Sequence, residues 1–400
     1  MQAGESAGGL VCGNPKKGSH SDMTRRERLM ATLRGEAVDR PAVSFYELNG
    51  LDEDPTDTAP FNIYSDPSWG PLVDLTREKT DRIVMRCVPF IDAEPSPMQP
   101  FITSETRHDG HGSRFDRMII RAGNHTLTAT TRRDPDVNTV WTLEHLFKDA
   151  GDLEAWLELP EVAYSGAPDV HGVVEAEEQL ADTGIVMIDT GDPLCSVASC
   201  FALGDFTVVA TTEQALMHRA LERAARVLLP QVEAVSKALP GRLWRICGPE
   251  YASPPYLPPY LFEQYVTRYV TPMVEAIQRH GGYARIHSHG RLKDILDHIA
   301  ATGCDGLDPI EPPGQGDVEL RYVREKYGKQ MVLFGNLEMS DVENMPTARF
   351  AEKVERALHE GTQGEGRGFV LMPSACPYGR HLSSLTLRNY EEIIRQIEQL

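Results

Sequence analysis

Eight short apolar runs recur along the chain, at Pro41–Tyr46, Arg82–Val88, Gly184–Ile188, Leu243–Cys247, Tyr283–His287, Gly306–Ile310, Met331–Phe334 and Phe369–Met372. Longer amphipathic stretches follow most of them, among them Leu261–Arg279, Leu292–Ala301, Ala348–Leu358 and Ser384–Leu400. Strands alternating with helices pair in parallel through right-handed crossovers. Eight such units predict an α/β chain folded as a closed (β/α)8 TIM-type barrel rather than an open sheet. Ahead of the first run, Thr24 is placed to cap a helix carrying Leu29, Met30 and Leu33, which Gly35 ends. One segment departs from the alternation. Ser104–Val140 is rich in Thr, Arg and Ile, with a turn near Ala122-Gly123-Asn124, and reads as a β-hairpin or meander inserted after the second strand and lying across the barrel mouth. Residues 1–22 are small, polar and aperiodic, and read as a disordered extension or a remnant of cloning. Residues 23–400 are expected to form one barrel domain with the β insertion at about 104–140.

Composition narrows the function classes. The 400 residues carry 40 Lys+Arg against 59 Asp+Glu, a formal net charge of −19, which argues against a nucleic-acid partner because phosphate binding needs a basic stripe. No window approaches the roughly 20 apolar residues of a membrane span. Seven scattered cysteines, an odd number, suggest reduced thiols in the cytoplasm rather than a disulfide framework. No GxGxxG or GxxxxGK[ST] loop follows a strand, which weakens a nucleotide-binding reading.

In such barrels the chemistry gathers at the C-terminal ends of the strands. Polar residues there are Asp189 and Asp192, Glu250, His287 and His289, Asp308 and Glu311, Asn336 and Glu338, and Cys376. His287 and His289 stand two apart, so both imidazoles can share one strand face. Cys376 lies 89 residues beyond His287, close to three barrel units of about 31 residues each. Two imidazoles and a thiolate around a narrow mouth suit zinc and leave the open position that catalysis needs. Each residue alone has a plainer reading: His-x-His pairs occur by chance, and a single cysteine is more often a buried apolar thiol. Glu250 is expected as a fourth ligand or as the partner fixing a histidine tautomer. Asp308 and Asn336 are expected to hydrogen-bond substrate or to cap their loops. Cys247, beside Gly248, reads as core, and His298 as a solvated or helix-packing residue.

The opening MTRRERLMATLRGEAVDRPAV, then GPEYASPPYL, HSHGRLKDILDHI, GCDGLDPIEPP, LFGNLE and the Cys376 loop, in that order and spacing, resemble the uroporphyrinogen decarboxylase superfamily from about Met23 to Leu400. The resemblance implies a distorted (β/α)8 barrel. The decarboxylases carry Arg-Gln-Ala-Gly-Arg-Tyr on the first strand, whose arginines bind porphyrinogen carboxylates; here the region reads Ser44-Phe45-Tyr46-Glu47-Leu48-Asn49-Gly50. Without those arginines and with an added carboxylate, the chain looks closer to the zinc-dependent, corrinoid-linked methyltransferase branch. That branch's ligand pattern, His-x-Cys and a distant Cys, is matched by His287 and Cys376, while His289 stands where its first cysteine would be. The neutral imidazole leaves the metal more Lewis-acidic than two thiolates would. The resemblance thus implies a zinc-dependent methyltransferase exchanging a methyl group between a corrinoid on a separate carrier protein and a small-molecule acceptor. The inserted hairpin is then expected to help dock the carrier. A metal-free decarboxylase or lyase using Asp189 or Asp308 is the alternative. A metal hydrolase would need further strand-end histidines that His298, His359 and His381 do not supply, and a binding protein that retains the barrel would bind metal without transfer.

Overall fold

The computed structural model describes residues 23–91, 95–162, 164 and 166–400, so the expectation for residues 1–22 falls outside it. Chain entry follows the capping signals. The Thr24 hydroxyl accepts from Glu27 N at 3.1 Å, the Glu27 carboxylate accepts from Thr24 N at 2.8 Å, and helix Arg25–Arg34 ends at Gly35 with φ of 72°.

Eight parallel strands make the sheet: β1 (Ala42–Val43), β2 (Arg82–Arg86), β3 (Gly184–Gly191), β4 (Leu243–Cys247), β5 (Tyr283–His287), β6 (Gly306–Asp308), β7 (Val332–Leu337) and β8 (Phe369–Pro373). Their order is sequential, from β1 through β8 and back down to β2, which nearly closes a TIM-type (β/α)8 barrel. All eight coincide with the apolar runs. Alternate residues divide between two cores, because successive side chains of a strand face opposite ways. Ile83, Ile185, Met187, Leu243, Val332, Phe334, Val370 and Met372 fill the barrel interior with Leu29 and Leu33 of the first helix. Val84, Val186, Ile188, Ile246, Ile286, Leu333 and Leu371 pack outward against the helices.

The strands β1 and β2 share no ladder. The Asp81 side chain closes that gap, taking Val43 N at 2.9 Å while Asp81 N reaches Val43 O at 2.7 Å. Arg28 at 2.5 Å and Arg40 at 3.0 Å neutralise this fully buried carboxylate.

The insertion is a four-stranded antiparallel sheet, Ile102–His108, Arg114–Ala122, His125–Arg133 and Val140–Glu144. Its central hairpin pairs Ala122 with His125 around Gly123, whose φ of 60° suits a two-residue turn. Ile120, Ala122 and Leu127 join the outer core. Its 134–139 loop meets the loop after β8, where Asn138 N donates to Tyr378 O at 2.7 Å and Arg380 N to Asp136 O at 2.8 Å.

One predicted helix is divided. Leu261–Arg279 becomes Pro259–Phe262, a π turn at Glu263–Thr267, and Arg268–Arg279 with Pro272 inside it. Pro272 offers no N–H and crowds the carbonyl a turn earlier, which the wider turn just ahead accommodates. No helix among the described residues is long and apolar enough to cross a membrane.

Candidate active site at the barrel mouth

Register builds the first half of the site. His287, at the end of β5, pairs with Asp308 on β6. Its Nδ1 lies 2.7 Å from Asp308 Oδ2, and Asp308 Oδ1 meets Arg285 Nε at 2.8 Å. Arg285 and Asp308 are both fully buried. Burial alone would raise the Asp308 carboxyl, but Arg285 and His287 outweigh it and hold it down to about 2. Burial pushes the Arg285 guanidinium below its ordinary range, with Asp308 opposing.

His289 continues on the same side. Its ring stands 4.6 Å from that of His287, centroid to centroid, and nearly perpendicular at 87°. Its Nδ1 meets Glu311 Oε1 at 2.8 Å, while Glu311 Oε2 takes Gly290 N at 2.6 Å. Burial disfavours the charged ring, yet Glu311 raises the His289 pKa; burial raises Glu311, yet His289 and Gly290 N bring it below the usual range. An ionised carboxylate only accepts, so each Nδ1 carries a hydrogen, and in the neutral form of each ring Nε2 is the nitrogen with the lone pair. The Nε2 of His287 lies 3.4 Å from the Tyr46 hydroxyl.

A second chain of contacts crosses the mouth from the other side. Arg245, on β4, pairs with Asp189 of β3 at 3.0 Å and with Glu47 at 3.4 Å, and donates to the Tyr46 hydroxyl at 3.1 Å. Cys376 donates its thiol to Glu47 Oε2 at 3.7 Å. Burial and then the Glu47 charge push that thiol well above its ordinary range, so it stays protonated. Of the three expected metal ligands, His287 and His289 therefore come together, while Cys376 is engaged with Glu47. Among the described residues no three His, Cys, Asp or Glu side chains are grouped so as to hold a metal ion. The donor chemistry fits zinc at the two imidazoles, since a carboxylate on Nδ1 is what orients a metal-binding histidine. The thiol is not yet part of that set.

The remaining candidates occupy other places. Asp308, expected to meet substrate, is enclosed and spends both oxygens on His287 and Arg285. Glu250 accepts from Gly248 N at 3.1 Å within the turn Pro249–Ala252, near enough for its charge to act on His289. Asn336, on β7, lines a cleft beside Glu338 and the helix Thr347–Thr362. Cys247 is not core: it is half-buried at the end of β4, opposite Gly191 of β3. His298 packs by Phe262 with ring centroids 6.3 Å apart, as a helix residue. Sequence reading passed over Arg245 and Arg285. The signal was present, because Arg285, His287 and His289 alternate along one strand face and an arginine inside an apolar run asks for a partner.

Residues 202–378, which span β4 to β8, match the uroporphyrinogen decarboxylase (URO-D) family, in keeping with the sequence resemblance. No curated protein sequence matches significantly. A methyltransferase from Methanosarcina mazei superposes with a TM-score of 0.56 at 14% identity, over 94% of this chain and 99% of that one. An L-ribulose 3-epimerase gives 0.37 at 15% identity over 64% and 90% of the two chains. A D-psicose 3-epimerase from Clostridium cellulolyticum H10 gives 0.31 at 9% over 58% and 92%. The first shares the fold; the two epimerases carry no argument.

Proposed function

We propose that the chain is a zinc-dependent methyltransferase, exchanging a methyl group between a corrinoid on a partner protein and a small-molecule acceptor at the barrel mouth. The observation that carries this reading is the His287–His289 pair, each Nδ1 facing a carboxylate so that in the neutral rings the Nε2 atoms are the metal-binding nitrogens. The URO-D match and the fold shared with a methyltransferase support it. Zinc would be held by the two Nε2 atoms, and it would supply Lewis acidity and deprotonate a coordinated thiol. Cys376 would be the third ligand were its thiol to leave Glu47.

The protein's own residues have separate tasks. Asp308 and Glu311 fix the imidazole tautomers and orientations. Arg245 holds Glu47 and Asp189 in place, so the thiol's partner is itself anchored. The loop after β8, which carries Cys376, is tied to the insertion by backbone hydrogen bonds. The edge strand Val140–Glu144 exposes Val140, Trp141 and Leu143, an apolar surface suited to the corrinoid carrier.

Decarboxylation of an anionic tetrapyrrole is less favoured. Arg245 and Arg285 already face Asp189, Glu47 and Asp308, so no arginine of this group is free to receive substrate carboxylates.

The test uses the purified full chain, elemental analysis, and methylcobalamin with small thiols, followed by the corrinoid spectrum. Stoichiometric zinc and demethylation are expected, both lost in His287→Ala and His289→Ala. A zinc-free chain that transfers methyl despite chelator would remove the metal from the reading, and no demethylation with any thiol would overturn the transferase.

A further inference from the structure

A second cluster of reactive side chains sits one strand back from the histidines. Gly191 and Cys247 pair across the ends of β3 and β4, and Asp192 N donates to Cys247 O at 2.9 Å. Asp192 then starts the short helix Pro193–Ala198 by accepting from Cys195 N at 2.6 Å. That turn folds Cys195 back over the end of β4. Two glycines make the approach possible. A Cβ on Gly248 would lie 2.4 Å from Cys195 Cβ, and one on Gly191 would lie 3.4 Å from Cys195 Sγ. The Cys195 sulfur is consequently brought beside Gly191, the β3 partner of Cys247, so the two thiols stand next to each other.

The surroundings divide the labour between the two sulfurs. Asp192 is fully buried, its Oδ2 has no hydrogen-bond partner among the described residues, and Glu250 lies close by. Negative charge on both sulfurs at once is therefore costly here, and ionisation of one disfavours ionisation of the other. The contact between them lowers the Cys247 thiol and raises that of Cys195. Both residues are half-buried and neither is bonded to another cysteine.

We propose that Cys195 and Cys247 form a dithiol exchange site for small-molecule disulfides, with Cys247 the attacking sulfur and Cys195 the resolving one. The Cys247 thiolate attacks one sulfur of the disulfide RSSR, the S–S bond breaks, and RS⁻ leaves. The Cys195 thiol then loses its proton to the departed thiolate and attacks Cys247 Sγ, expelling the second RS⁻. The protein dithiol is oxidised to one intrachain disulfide, and RSSR is reduced to two thiols. The bond would staple the loop after β3 to the end of β4, beside the Asp189–Arg245 pair.

The experiment treats the full chain with oxidised glutathione, blocks residual thiols, and maps peptides by mass spectrometry. A Cys195–Cys247 cross-link without retained glutathione is expected in the unmutated chain. Cys195→Ser is expected to trap glutathione on Cys247, and Cys247→Ser to leave Cys195 unmodified. A lasting adduct in the unmutated chain, a cross-link through Cys87 or Cys376 instead, or an unreacted pair would each overturn the proposal. The cross-link is read without any variant, so a misfolded mutant does not decide it.

Discussion

An imidazole whose Nδ1 faces a carboxylate has its protonation set by that partner, and the His289–Glu311 pair fixes a pH window. His289 titrates above its ordinary 6.5, so the stability it adds is present below that value and lost as pH rises through the raised pKa. Glu311 titrates below its ordinary 4.5, so its contribution is present above that value and lost as pH falls through the lowered one. The pair is thus at full strength between these two ordinary values. NMR titration of the metal-free chain should place His289 above 6.5, and Glu311→Gln should lower it, since burial is then opposed only by the lesser pull of Asp308 and Glu250. A His289 unmoved by that change would show that Glu311 does not set its charge. Zinc competes with the same proton, so affinity should rise with pH across the His289 titration. At Asp308 the outcome is harsher. Asp308→Asn strands Arg285 without its counter-charge, which should cost about 3–5 kcal/mol in urea unfolding and about 10- to 100-fold in metal affinity. The histidine pair was legible in the sequence because spacing alone puts both rings on one face. The roles of Asp308 and Glu311 were not, because they depend on which strand lies next and in what register.

Short elements borrow stability from side chains where the ladder fails. The strand β1 has just two residues and pairs on one side with β8 alone, and the buried Asp81 carboxylate supplies the missing partner on the other. Asp81→Ala removes that hydrogen bond and leaves Arg28 and Arg40 facing an empty site. Asp39 still pairs with Arg28 at 2.6 Å, so the loss should sit near the low end for a broken buried pair, about 3 kcal/mol in urea unfolding. A loss no larger than an exposed pair's, below about 1 kcal/mol, would show that the strand pairs without its clasp. All eight strands were readable from apolar runs, since parallel strands covered on both faces show continuous hydrophobicity. The clasp was not readable, because Asp81 sits at the start of a strand where any surface aspartate could stand. The π turn at Glu263–Thr267 was equally hidden: amphipathic spacing ran through it, and only Pro272 marked the strain.

At the scale of the whole molecule, one arginine side chain reinforces the backbone bonds that join the insertion to the loop bearing Cys376. Arg380 follows the Cys376 loop, and its guanidinium donates to Pro135 O at 2.8 Å, Pro60 O at 2.6 Å and Ser65 Oγ at 3.2 Å. The inserted sheet, the segment after β1 and the loop bearing the third candidate ligand therefore meet at one charged group. Hydrogen bonds to a charged group contribute about 1.5–3 kcal/mol, so this junction holds the Cys376 loop more firmly than the loop's own backbone contacts. If methyl transfer needs the thiol to leave Glu47 and approach the histidines, the insertion governs how far that loop can travel. Arg380→Ala should then raise hydrogen exchange in residues 134–138 and 376–380 together. It should lower kcat/KM about 10- to 100-fold, the scale expected when a reacting group is misplaced by an ångström. Thermal stability should change far less, because the apolar anchors Ile120, Ala122 and Leu127 remain buried. Faster exchange confined to 376–380, with the insertion unaltered, would mean that the sheet rides on the barrel without steering its mouth. In that case the insertion would be left with carrier docking as its only task, and the exposed strand Val140–Glu144 would become the place to mutate.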